Sequence, residues 1–269
     1  MEEQEKKESA EAVSVGEKES ANKDVAQEKE LELSLEGMLK AGVHFGHKKA
    51  RWNPKMKQYI FGLRQGVHIL NLEKTLDCLN KALAFTEEVV AGGGQILFVS
   101  TKKQAKELIR SVAEKTQMPY VNQRWLGGTF TNFNDIFNRI KYLINTKEGI
   151  EAGKFSDWTK LERLRLKKEL DSLEEKVGGL VLMKKIPEAI LVLDIKKEMT
   201  AIREARKKGV KIIGIVDTNA DPGLVDYPVP ANDDALSSLN YILKIFAQRM
   251  AAAKQKAAMV KEKEAAIQK

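Results

Sequence analysis

The sequence predicts a three-layer α/β fold, a mainly parallel sheet covered by helices on both faces, and two observations carry that reading. The runs QILFVS (95–100), AILVLD (189–194) and VKIIGIVD (210–217) are short, rich in β-branched residues and apolar rather than alternating, as in strands buried on both faces. Segments of helical period alternate with them, and right-handed crossovers then close a layered domain.

Residues 1–33 hold no aromatic side chain and too little apolar surface to offset chain entropy, which predicts a disordered acidic tail. Ser34 suits the N-cap of a short helix through Leu35, Met38 and Leu39 that Gly42 ends. Val67 to Leu70 reads as a short extended piece, followed by a helix from Leu72 to Val90. The glycines 92–94 follow that helix and precede a strand, the reverse of a phosphate loop, so they read as a C-cap and turn. KKQAKELIRSVAEKT (102–116) gives the helix after the first buried strand, PYVN a short strand near Tyr120, and KEMTAIREARKKG (197–209) another helix.

Residues 131–178 interrupt the rhythm with two helical stripes. Phe133, Ile136, Phe137, Ile140, Leu143 and Ile144 form the first, and Leu161, Leu164, Leu170, Leu173 and Val177 the second. Two such helices, separated by a glycine-containing turn, predict an inserted antiparallel hairpin that protrudes from the sheet domain. A last helix begins near Asp233 or Asp234 and packs Leu236, Leu239, Ile242, Leu243 and Phe246 inward. The expected organisation is therefore a tail (1–33), an α/β/α domain (34–250) carrying the hairpin, and a frayed Lys/Ala-rich end (251–269).

The 269 residues suit one domain with an elaboration. No apolar run approaches the roughly 18 to 20 residues that span a bilayer, and the beginning lacks a signal peptide, so a soluble, cytoplasmic protein without a membrane partner is expected. Cys78, the only cysteine, rules out an intrachain disulfide or a multi-thiolate zinc cluster. The net charge of +8 hides a division: residues 1–33 sum to −6 and residues 34–269 to +14. A body that basic asks for a polyanion.

GVHFGHKKARWNPKMK (42–57) sets His44 and His47 beside five cations and no carboxylate. A metal would need ligands from elsewhere and would be opposed by those cations, so no metal and no cofactor are expected, although ordinary structural histidines also fit the pattern. A phosphate-facing surface uses more of the segment. Lys48, Lys49, Arg51, Lys55 and Lys57 reach phosphates, Trp52 offers a stacking face, and Asn53 a donor and an acceptor. A second candidate is NQRWLGGTFTNF (122–133), where Arg124, Thr131 and Asn132 meet the root of the hairpin; anchoring of the arm by Trp125 and Leu126 is the competing reading. Lys102 and Lys103 stand at a strand-to-helix turn that suits phosphate, as it suits a plain helix start.

The blocks LKAGVHFGHKKARWNPKMKQYIFGLRQGVHILNLEKT, RWLGGTFTNF, PEAILVLDIKKEMTAIREARKKGVKIIGIVDTNADP and YPVPANDDA closely resemble the bacterial small-subunit ribosomal protein S-two family, from about Leu35 to Phe246. The resemblance implies a flavodoxin-like α/β/α domain with a protruding helical hairpin, bound as a monomer to 16S-type ribosomal RNA near the junction of head and body. It also implies a non-catalytic role in assembly, contacts with other small-subunit proteins, and help in recruiting the large mRNA-capturing ribosomal protein for initiation. Lys184, Lys185 and Glu188 depart from the family pattern.

Two rival classes follow from the same residues. An open α/β sheet binds ligands at the carboxyl ends of its strands, where Ser100, Asp194, Asp217, Asn219 and Asp221 suit a magnesium-dependent phosphate or nucleotide enzyme, but no glycine-rich nucleotide loop follows the first strand. A protein-interaction scaffold acting through the hairpin is the other.

Overall fold

The computed structural model of the chain describes residues 33–155 and 157–267, with side chains to residue 259; residues 1–32, on which the acidic-tail expectation falls, lie outside the described residues. Ser34 caps α1 (Leu35–Lys40), its Oγ accepting from the Gly37 N–H at 3.1 Å, and the chain leaves through Gly42 at φ +73°.

Within the basic segment, Gly46 does not interrupt the chain but lies in a strand. Phe45–Lys48 (β1), Ile60–Arg64 (β2) and Val67–Leu70 (β3) form an antiparallel sheet in the order β1-β3-β2. Gly46 carries the reason: a Cβ there would stand 2.5 Å from Thr218 Cγ2 and 3.1 Å from the His68 carbonyl, so this glycine permits a close backbone approach within a strand. Gln65 and Gly66, at φ +50° and +77°, make the two-residue connection of β2 to β3.

After α2 (Leu72–Ala91), capped by Gly92 as the glycine run predicts, the parallel sheet begins. Its strands are β4 (Ile96–Val99), β5 (Tyr120–Val121), β6 (Ala189–Val192), β7 (Lys211–Val216) and β8 (Tyr227–Pro230), in the order β5-β4-β6-β7-β8 with every pairing parallel. This is the doubly wound order whose switch point falls between β4 and β6. β8 was not legible as a strand because two of its four residues are proline; it pairs only with β7, and proline is tolerated at an edge.

The period of two divides the buried strands between the faces. Leu97, Val99, Ile190, Val192, Ile212 and Val216 join a cluster with Ala201, Ile202 and Ala205 of α6 (Met199–Lys208). Ile96, Phe98, Leu191, Ile213 and Ile215 are equally buried, and on that side α2, α3 (Lys106–Thr116) and α7 (Leu236–Ile267) pack together.

Residues 131–178 supply α4 (Phe133–Glu151) and α5 (Lys160–Val177), the latter opened by a capping box of Thr159 and Glu162. Lys147 Nζ meets Glu174 Oε1 at 2.6 Å between them, and Ile136, Ile140 and Leu143 share the sheet cluster with Leu166 and Leu170. Leu161 and Leu164, expected in the seam, are exposed, and Leu166 takes their place: 166, 170, 173 and 177 keep the helical period that 161 and 164 break.

Candidate functional site

β1 is strapped to the carboxyl edge of the parallel sheet. β7 ends in Val216, and the buried Asp217 and Thr218 follow it. The His47 N–H donates to Thr218 Oγ1 at 2.8 Å, the Asn53 N–H donates to the Thr218 carbonyl at 2.7 Å, and His47 Nδ1 lies 3.0 Å from Asp217 Oδ2. That last pairing raises the His47 pKa against the opposing effect of burial, helped by Asp233 and Asp234. On the other side of the ring, Nε2 lies 3.4 Å from Asp234 Oδ2 and 3.0 Å from Asn219 Nδ2.

Lys102, at the end of the β4 turn, enters the same cluster. Its Nζ lies 3.2 Å from Asp194 Oδ2, 2.8 Å from Asp233 Oδ1 and 2.8 Å from Asp234 Oδ1, and it donates to the Asp233 carbonyl at 2.9 Å. Burial pushes this ammonium down, but the surrounding carboxylates outweigh it and hold Lys102 well above the ordinary lysine range. Asp233 is pushed up to about 7 by burial and by the neighbouring Asp217 charge. The atoms offered by His47, Asp217 and Asp233 all lie within 4.8 Å of one another, a set that admits a cation, so the fold brings from afar the carboxylates that residues 42–57 lack.

This arrangement bears on the enzyme reading. At the switch point between β4 and β6, Lys102 pairs with Asp194, and Glu198 Oε1 accepts from both the N–H and the hydroxyl of Thr101 at 2.8 and 2.6 Å. A substrate phosphate entering there would meet Asp194, Asp217, Asp233 and Asp234, which outnumber the available cations.

The remaining basic residues face outward. Lys48, Lys49, Arg51 and Lys57 are exposed, with no carboxylate partner among the described residues. Lys55 is exposed too but meets Asp221 at 2.6 Å. Lys103 is exposed at the start of a short 3-10 turn. His44 packs on Phe45 with ring centroids 4.0 Å apart, and burial lowers its pKa. Trp52 is half-buried with its ring 5.3 Å from His68, and Asn53 Oδ1 caps the Lys55 N–H at 3.0 Å. His47 and Lys102, expected to meet phosphate, lie within the carboxylate cluster.

The second candidate surface is organised by a residue that sequence reasoning missed. Glu204 of α6 is buried and accepts from Trp125 Nε1 at 3.1 Å, Gly128 N at 2.8 Å, Phe130 N at 3.0 Å, Thr131 N at 3.2 Å and Thr131 Oγ1 at 3.2 Å. Burial opposes its charge, and these donors, led by Gly128, override that and lower its pKa. Thr131 thus turns its hydroxyl inward, Asn132 bonds to Asp135, and Arg124 is left exposed. Trp125 anchors the loop edge-on to Phe130 at 5.1 Å, so the anchoring reading of this aromatic also holds. Glu204 was readable in principle: it stands between Ala201, Ile202 and Ala205 on the buried face of α6, where a carboxylate requires donors.

Residues 38–253 match the family model described as Ribosomal protein S2. The chain is 47% identical over 213 residues to the small ribosomal subunit protein uS2 of Francisella philomiragia, covering 79% of this chain and 89% of that protein. It is 47% identical over 219 residues to the uS2 of Nocardia farcinica (81% and 77% covered) and 48% over 219 to that of Mycolicibacterium vanbaalenii (81% and 80%).

Proposed function

Because the chain belongs to the ribosomal protein S2 family, we propose that it is a structural constituent of the small ribosomal subunit that holds 16S-type ribosomal RNA near the junction of head and body. Its part is structural and not catalytic. In this reading it works in the cytoplasm as a monomer within the subunit, and it supports assembly, recruitment of the mRNA-capturing ribosomal protein and initiation. The exposed quartet Lys48, Lys49, Arg51 and Lys57, without a carboxylate partner among the described residues, carries the reading. Phosphate contacts position a protein on RNA and need free cations held on a rigid frame. The β1 strap to β7 supplies that frame, with Pro54 stiffening the chain between charges.

Lys55, Lys103, Arg124 and Asn132 extend the surface, and His44 and Trp52 lend it aromatic edges. The α4–α5 pair then forms a protruding arm that widens the grip. His47, Lys102 and Thr131 act from behind, through the groups they bind. Replacing the quartet by glutamine and measuring affinity for small-subunit ribosomal RNA across a salt series tests the proposal. Every cation removed from a phosphate lowers the salt slope by about one unit or somewhat less; an unchanged slope, with unchanged sedimentation into small subunits, would overturn it.

A further inference from the structure

We infer that Glu204 is a positioning residue: it acts as a mould for the loop 124–132 and sets where Arg124 meets the RNA. This rests on the RNA reading above and adds a residue that touches no RNA itself.

The geometry argues for a specific device rather than ordinary burial. A carboxylate offers about four lone-pair sites. Its hydrogen-bond partners among the described residues are the Trp125 indole, the Gly128, Phe130 and Thr131 amides and the Thr131 hydroxyl, every one of them a donor from the loop. No cation pairs with it among the described residues, so the loop donors are what offsets the burial of its charge. Backbone N–H groups that would otherwise face water or one another are thereby converged on one point. The loop needs such a point because it has little regular structure of its own, with Gly128 at φ +93° and the Asn132 side chain not capping α4. Its other anchors are the core burial of Trp125 and Phe130, whose rings meet edge-on, and short local turns; neither fixes the amides of Gly128 and Thr131 on one point. Arg124, adjacent to the anchored indole, inherits its position from that anchor.

Charge and shape are both required. Glutamine would set an amide donor against a ring of donors, and aspartate is one methylene too short to reach them.

The test uses the full chain with Glu204→Gln, Arg124→Ala and the double variant, assayed with small-subunit ribosomal RNA below the melting temperature of each protein. Hydrogen exchange is followed at the amides of Gly128, Phe130 and Thr131. Expected is a loss of affinity on the order of tenfold for Glu204→Gln, faster exchange at the three loop amides with β7 still protected, and little further loss when Arg124→Ala is added. Protection of those amides in the wild type also persists into acid until the Glu204 carboxylate is protonated, below the usual glutamate range, and this acid limit vanishes in Glu204→Gln. Equal factors from Arg124→Ala in both backgrounds, or wild-type affinity in a folded Glu204→Gln protein, would show a merely structural carboxylate and overturn the inference. Absence of salt-dependent RNA binding by the wild type would overturn the RNA reading instead, while the exchange measurement still decides whether Glu204 holds the loop.

Discussion

The backbone N–H of His47 donates to the hydroxyl of Thr218 at 2.8 Å across 171 positions of chain, stitching the first strand of the basic sheet to the carboxyl edge of the parallel one. Gly46 makes that distance attainable, since a Cβ would press on Thr218 and on the His68 carbonyl. Gly46→Ala is expected to destabilise the protein by about 1 to 3 kcal/mol, read as a lower urea midpoint at unchanged m. Gly62→Ala, where an added Cβ meets nothing within 4 Å, is the matched control and should shift stability by no more than about 0.5 kcal/mol.

The same seam predicts a pH dependence. Folding raises the His47 pKa above its ordinary 6.5 and the Asp233 pKa from 3.8 to about 7. Both shifts mean that the folded state binds protons more tightly, so the stability each contributes is full below the unfolded pKa and is lost as pH rises through the folded one. The groups facing this pair are Asp217, Asp234, Asp194 and Lys102. Urea unfolding should therefore show this contribution falling from about pH 4 to somewhat above pH 7. His47→Gln should flatten the upper part of that curve while leaving the acid part; an unchanged curve would remove His47 from the linkage.

Lys102 and Lys48 are both cationic, yet their replacement should have opposite consequences. Lys102 sits among Asp194, Asp233 and Asp234 with its side chain 11% exposed, and removing it leaves their charges uncompensated. Lys102→Met is expected to cost about 3 kcal/mol or more, measured by chemical unfolding. Lys48→Gln on the open surface should change stability by less than about 0.5 kcal/mol and be felt only in the salt dependence of RNA affinity. A stable Lys102→Met protein with a reduced salt slope would reverse the assignment of these two residues.

What could be read in the sequence followed from period and punctuation. β4, β6 and β7 announce themselves by continuous apolar runs, and α1 and α2 by Ser34, Gly42 and the Gly92 cap, because these signals are local. β1 and β8 were hidden for the opposite reason: glycine and proline look like breakers until Thr218 lies against Gly46 and an edge accommodates Pro228 and Pro230. The candidate site divides in the same way. Lys48, Lys49, Arg51 and Lys57 are visible as an acid-free cationic stretch, whereas the partnership of His47 with Asp217, or of Lys102 with Asp233, joins segments more than a hundred residues apart. Isolated charge counting cannot tell a cation aimed at solvent from one already neutralised.

The end of α7 supplies a final prediction, because the apolar stripe ends near Met250 while the helix runs on to Ile267. Ala253 is 5% exposed, and Lys254 Nζ donates to the Thr116 carbonyl at 2.6 Å, satisfying an acceptor at the C-terminal end of α3. Burial lowers the Lys254 pKa. Truncation after Met250 removes both interactions and should lower stability by about 1 to 2 kcal/mol, with faster hydrogen exchange in the last turn of α3. Truncation after Ala258 keeps both and should unfold at nearly the full-length midpoint. Equal destabilisation by the two truncations would place the stabilising interactions beyond Ala258 and not at Lys254.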